Sequence, residues 1–168
     1  MEQFERAQRY LVRMRAIYAG VFEGERSKND CEDDVMSFFV HCYHIKDWIV
    51  HLNNIGMTSK QVDTFIDQNE CLRICADLSN GAKHCTLTKM TRTATQRHVV
   101  GRKYETSTWF TGSGGGKVLK GAYSIMTAAG VIDALSLAED CMHCWSTFIE
   151  RMQGTFESQS SVNETRDA

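Results

Sequence analysis

Apolar residues recur at intervals of three and four along most of this chain, and that rhythm breaks once. Phe4, Ala7, Leu11, Met14, Tyr18 and Val21 trace one face of a helix over about residues 2–23. Gly24 and a polar run at 25–30 read as a loop. A second helix is predicted over about 31–53, with Val35, Phe38, Cys42, Ile45, Ile49 and Leu52 as its buried stripe. Acidic residues crowd its first turn, where the helix dipole favours them. Ser59 opens a short third helix carrying Val62, Phe65 and Ile66. A fourth, over about 70–84, is expected to bury Cys71, Ile74, Cys75, Leu78 and Ala82. From Thr86 to Tyr123 the pattern changes to Thr, Val and aromatic residues. Two to four strands are predicted there, with a hairpin across Gly112-Ser113-Gly114-Gly115-Gly116. A last helix over about 130–152 carries Ile132, Leu135, Ala138, Cys141, Trp145, Phe148 and Met152. The polar tail from Thr155 is expected to be disordered.

The predicted fold is α+β, mainly α with a β insertion. One domain over 1–154 holds a bundle of about five helices. A small antiparallel hairpin or sheet at about 86–127 sits between the fourth helix and the last, and 155–168 form a tail.

Composition adds little to this picture. A chain of 168 residues, 42% hydrophobic and 24% charged, is ordinary for one globular domain. No stretch approaches the roughly 20 apolar residues that cross a bilayer. The charged start, MEQFERAQRY, has no apolar centre of a signal peptide. A cytoplasmic protein that does not enter a membrane is therefore expected. The seven cysteines are read as reduced thiols, most of them packing as small hydrophobes.

Charge distribution changes the picture more. The net charge is −2, yet residues 83–120 hold eight basic side chains against Glu105 alone. These are Lys83, Lys89, Arg92, Arg97, Arg102, Lys103, Lys117 and Lys120. Such asymmetry points to a polyanion such as nucleic acid, or to a solvated hairpin that is simply basic. Tyr104, Trp109, Phe110 and Tyr123 interleave with them, which suits stacking on single-stranded bases. The alternation Tyr104, Thr106, Thr108, Phe110 equally describes the buried face of a strand.

Chemistry-bearing side chains gather on the fourth helix. At about 100° per residue, Arg73, Asp77, Asn80 and His84 share one narrow sector, away from the stripe centred on Leu78. Arginine grips phosphate through a fixed fork of donors, and histidine exchanges protons near neutral pH. Asp77 and Asn80 can orient such a pair. The plainer alternative is a solvated face with i,i+4 pairing of Arg73 and Asp77. His41, His44 and His51 on the second helix have spacings a metal could use. Cys141-Met142-His143-Cys144 is a C-x-x-C with no second pair at zinc-finger spacing. Core packing is the reading of both groups, and no metal or cofactor is predicted. Gly116-Lys117 lacks the upstream glycine of a phosphate-binding loop.

Two segments, Phe39-Val-His-Cys-Tyr-His-Ile-Lys-Asp-Trp48 and Asp77-Leu-Ser-Asn-Gly-Ala-Lys-His84, resemble small helical proteins of the HEPN-like superfamily. The resemblance covers about residues 1–84 and the last helix. It implies an α-helical bundle, and RNA binding or metal-independent RNA cleavage in a toxin–antitoxin or phage-defence system. It also implies action as a homodimer or with a partner protein. Active members carry an arginine followed four to six residues later by a histidine. Here ten residues separate Arg73 from His84 and five separate Arg92 from His98. In the cleaving version His84 is the acid–base group, Arg73 or a basic residue of the insertion stabilises phosphate charge, and Asp77 and Asn80 orient them. The alternative is a non-catalytic module whose basic hairpin docks a nucleic acid or an acidic protein.

Overall fold

The helices begin where their caps are. The computed structural model describes residues 1–51, 57–83, 91–94, 98–111 and 114–164. Ser27 caps α2 (Lys28–Tyr43) in a reciprocal pair with Asp30, and Thr58 does the same for α4 (Ser59–Gln68) with Gln61. These follow α1 (Glu2–Ala19), which ends at Gly20 with φ 120°, a conformation that favours glycine. The helix expected over 31–53 is two helices in the structure. His44 separates α2 from α3 (Ile45–His51), and its Nδ1–H donates to the Val40 carbonyl at 2.7 Å. A side chain that takes a backbone carbonyl in this way competes with the helical ladder.

Helix α5 (Glu70–Lys83) lies at the centre of the bundle. Leu72, Ile74, Cys75, Ala76, Asp77, Leu78 and Ser79 are all buried, so nearly its whole circumference is covered. Ala82, expected in its buried stripe, is exposed. Helix α6 starts at Ala134 rather than at about 130. Asp133 caps it by accepting from the Ser136 amide at 2.9 Å. The α6 backbone stays helical to Glu164, past the boundary predicted at 152 and into the segment expected to be disordered. Trp145, Phe38, Phe39, Met14, Ile17, Ile45 and Ile49 fill the core between the helices. Among the described residues no helix is long and apolar enough to cross a membrane.

The sheet is antiparallel and centred on β3 (Gly114–Thr127). β2 (Val99–Thr111) runs along one edge, from Val99 opposite Met126 to Thr111 opposite Gly114. The other edge is shared by β1 (Val21–Phe22), which arrives directly from α1, and β4 (Gly130–Asp133), which leads into α6. The architecture is thus the α+β arrangement expected, with the insertion between α5 and α6 and one short strand added before α2.

Leu119, Tyr123 and Ile125 of β3 point into the body, and Gly121 lets α1 approach: a Cβ there would meet Ile17 Cγ2 at 2.9 Å. Tyr104 shares that face with Thr106, Thr108 and Phe110, as the alternation predicted. Only Tyr104 is covered, because the hairpin extends beyond the helices and residues 105–110 are all exposed. At its outer end the Trp109 ring lies over Gly116, and the Phe110 ring lies beside Gly115.

Candidate functional site

Asp77, predicted to share a polar sector of α5, does not sit on a solvated face. Asp77 is buried, and its carboxylate accepts from the Arg92 amide at 2.6 Å, the Thr93 amide at 3.0 Å and the Thr93 hydroxyl at 2.8 Å. It therefore anchors the turn at 91–94, in which the Ala94 amide donates to the Thr91 carbonyl. Ala94 has φ 55°, a left-handed conformation that costs a non-glycine residue of order 1–3 kcal/mol unless its surroundings hold it. Asp77 is the group that holds it.

His98 comes next. Its side chain is 3% exposed, and its Nε2 lies 3.3 Å from the Thr93 hydroxyl and 3.5 Å from Asp77 Oδ2. Because the Thr93 hydroxyl spends its proton on Asp77, it receives one from His98. The order is then His98 Nε2–H to Thr93 to Asp77, which places a proton on Nε2.

One turn before Asp77, Arg73 lines a cavity of about 90 Å³ with Glu70, Ile74, Thr93, His98 and residues 127–129. It opens to solvent and has room for several waters or a small anion. Arg73 makes no ion pair among the described residues, and its buried Nε has no acceptor. Other described basic side chains without an ion pair, such as Arg9, Lys28 and Lys60, are exposed. A buried, unmatched guanidinium N–H is a donor that an anion or a water can satisfy.

The structure brings together Arg73 and Asp77 from the predicted set and adds His98. Asn80 is half-buried one turn further along α5. His84, Lys89 and Arg97 lie outside the described residues, as does the side chain of Lys83. His98 escaped the sequence reading because it precedes a strand. Its one signal was the Arg92-x5-His98 spacing.

Among the described basic residues of this stretch, most have a carboxylate partner. Arg92 donates to Asp63 at 2.6 Å and Asp67 at 2.7 Å, and carboxylate contacts oppose the desolvation of its charge. Arg102 pairs with Glu32, Lys103 with Glu105 and Lys117 with Glu23, while Lys120 stands opposite Glu105 in the sheet. Carboxylates of α2 and α4 thus pair with Arg102 and Arg92, two of the basic residues of 83–120. The aromatic end of the hairpin is also remote from the cavity. Twelve residue steps of β2 separate Val99 from Thr111, roughly 40 Å of strand.

The three histidines of α2 and α3 do not converge on a metal. His41 stacks on Tyr10 at 5.0 Å and accepts from Gln3 Nε2 at 3.2 Å. His44 is held by the Val40 carbonyl, and His51 is exposed. Cysteines do converge. Among the described residues, Cys42 of α2, Cys75 of α5 and Cys141 of α6 have sulphurs all within 4.8 Å of one another. Cys71 touches this group through Cys141, and its sulphur lies 3.5 Å from that of Cys144. Cys42, fully buried, lies against Cys141, Cys75 and the Trp145 indole. Contact with Cys141 lowers Cys71 to about 7, whereas burial pushes Cys75 and Cys141 up.

Comparison with protein-family models, curated proteins and solved structures finds no match to this chain.

Proposed function

We propose that this chain recognises RNA through its phosphodiester backbone, with the cavity at the α5–β2 junction receiving one phosphate. The observation that carries this reading is Arg73: a guanidinium lining a small open cavity, making no ion pair among the described residues, with its Nε–H buried and unmatched. The resemblance of residues 39–48 and 77–84 to HEPN-like proteins supports RNA as the class of ligand.

The same geometry suits cleavage. Arg73 would bind the non-bridging oxygens and stabilise charge developing on them. His98 Nδ1 would accept the proton of the 2′-hydroxyl as its oxygen attacks phosphorus. The bond to the 5′-oxygen of the next nucleotide then breaks, and that oxygen takes a proton from the imidazolium or from water. Thr93 and Asp77 hold the ring and support its positive charge. This places His98 in the role that the sequence reading gave to His84.

The test is binding of a fluorescent single-stranded RNA, followed by anisotropy across a salt series. Hydrogen bonds to charged groups contribute about 1.5–3 kcal/mol, so Arg73→Gln should weaken binding about 10-fold or more. His98→Ala should abolish any cleavage and weaken binding less. Affinity for the Arg73→Gln protein within two-fold of the parent would reject the cavity as the phosphate site.

Phe110, 84% exposed, favours a second reading in which the hairpin docks a partner. The pairing of Arg102, Lys103 and Lys117 with carboxylates weakens the electrostatic part of that reading.

A further inference from the structure

Five of the seven cysteines meet in the heart of the bundle, although they lie as much as 102 positions apart in the chain, from Cys42 to Cys144. We infer that they form a binding site for a single thiophilic metal ion of the zinc class, with Cys42, Cys75, Cys141 and Cys71 as its ligands.

The geometry is close to what such an ion needs. Zinc binds thiolate at about 2.3 Å in a tetrahedron, so its sulphurs stand roughly 3.8 Å apart. Three of the sulphurs already lie within 4.8 Å of one another, a spacing with room for one ion and not for a cluster of several metal atoms. Cys71 lies one helical turn before Cys75 on α5 and contacts Cys141. Its place beside Cys141 makes it the fourth ligand we assign.

Helix packing makes the arrangement rigid. α2, α5 and α6 each contribute at least one ligand, and Cys42, Cys75 and Cys141 are fully buried.

A second observation points the same way. Trp145 is fully buried, and its indole N–H has no acceptor among the described residues. It adjoins Cys42. A neutral thiol is a poor acceptor, whereas a metal-bound thiolate accepts readily and would match this donor. Cys144 completes the surroundings, with its thiol 3.5 Å from Cys71 sulphur and 3.6 Å from Asn69 Oδ1. Packing as small hydrophobes explains each cysteine singly. It explains neither their convergence from three helices nor the unmatched indole beside them.

On binding, the ligands release to solvent the thiol protons they still hold and four sulphur–metal bonds form, with no change of oxidation state. The site therefore needs reducing conditions and weakens as pH falls.

The test uses the full-length protein, purified with reductant, freed of metal by a chelator and titrated with Co²⁺. One equivalent should produce thiolate-to-cobalt charge-transfer absorption and the visible bands of tetrahedral cobalt, and Zn²⁺ should abolish both. Cys31, buried apart from the group, supplies the control: Cys31→Ser should retain the bands. Cys141→Ser should lose them. Because that variant can also lose its fold, Cys71→Ser at the half-exposed edge is measured alongside. It should keep its helical circular dichroism and weaken Co²⁺ binding at least ten-fold. Absence of charge-transfer absorption from the reduced parent protein would overturn the proposal. Equal Co²⁺ binding by the parent and Cys71→Ser would remove Cys71 from the ligand set and overturn the four-thiolate site.

Discussion

Replacing Asp77 should expose how far the candidate site depends on one buried carboxylate. Its side chain is 2% exposed and accepts three hydrogen bonds from residues 92 and 93. Asp77→Ala removes all three and leaves two backbone amides facing an apolar void. Each hydrogen bond to a charged group contributes about 1.5–3 kcal/mol, but the three share one acceptor and do not add. Loss of one partner from a buried charged network costs about 3–5 kcal/mol, and that is the expected destabilisation. Typical domains have only about 5–15 kcal/mol in total, so the alanine variant should be marginal. Asp77→Asn keeps the shape and one acceptor but turns an N–H₂ toward a donor, and should cost about 1–3 kcal/mol. Urea unfolding followed by circular dichroism reads both, with the midpoint falling and the slope unchanged. A loss below about 1 kcal/mol for the alanine variant would refute the assignment of Asp77 as anchor of the turn.

Asp34, buried between Arg13 and Arg26, should behave similarly: Asp34→Ala is expected to cost about 3 kcal/mol in the same urea assay. Gly121→Ala should cost about 1–3 kcal/mol, because its methyl group would collide with Ile17 and push α1 off the sheet. Burial raises the Tyr18 pKa to about 12, and Tyr104 and Tyr123 shift in the same direction for the same cause. A raised folded pKa means the folded state holds the proton more tightly. The stabilisation is therefore complete below about pH 10 and is lost as pH rises toward 12. Thermal melts across that range should show the decline, and Tyr18→Phe should flatten it while lowering Tm at neutral pH through the lost hydrogen bonds to Tyr123 and Asp133.

The helices were legible because three-and-four spacing reports a single buried face, and α1, α4 and α6 have one. α5 was misread in part for the same reason. A helix covered nearly all round has no polar side, so Asp77 and Ser79, which look like solvent-facing residues, are interior. The break at His44 depends on one side chain taking a backbone carbonyl, which periodicity does not register. β1 has two residues, too few for any alternation, and exists because α1 delivers it to Leu119 and Val118.

Arg73 was identifiable as a candidate from its helical sector, while His98 became its neighbour only through the turn that Asp77 anchors. The basic stretch carried a real charge imbalance along the chain. In space that imbalance is offset by Glu23, Glu32, Asp63 and Asp67 from elements distant in sequence. The cysteine group was invisible for the same reason. Each cysteine fits its own apolar stripe, and their meeting is a property of how α2, α5 and α6 pack.

The central claim is that the Arg73–His98 cavity takes a phosphate of RNA. NMR of the Arg73 Nε–H and the His98 ring during titration with a diribonucleoside monophosphate tests it most directly. The account predicts saturable shifts of both signals, absent with the matching nucleosides and absent in Arg73→Gln. Signals that stay fixed through the titration, or that move equally with nucleosides, would contradict it.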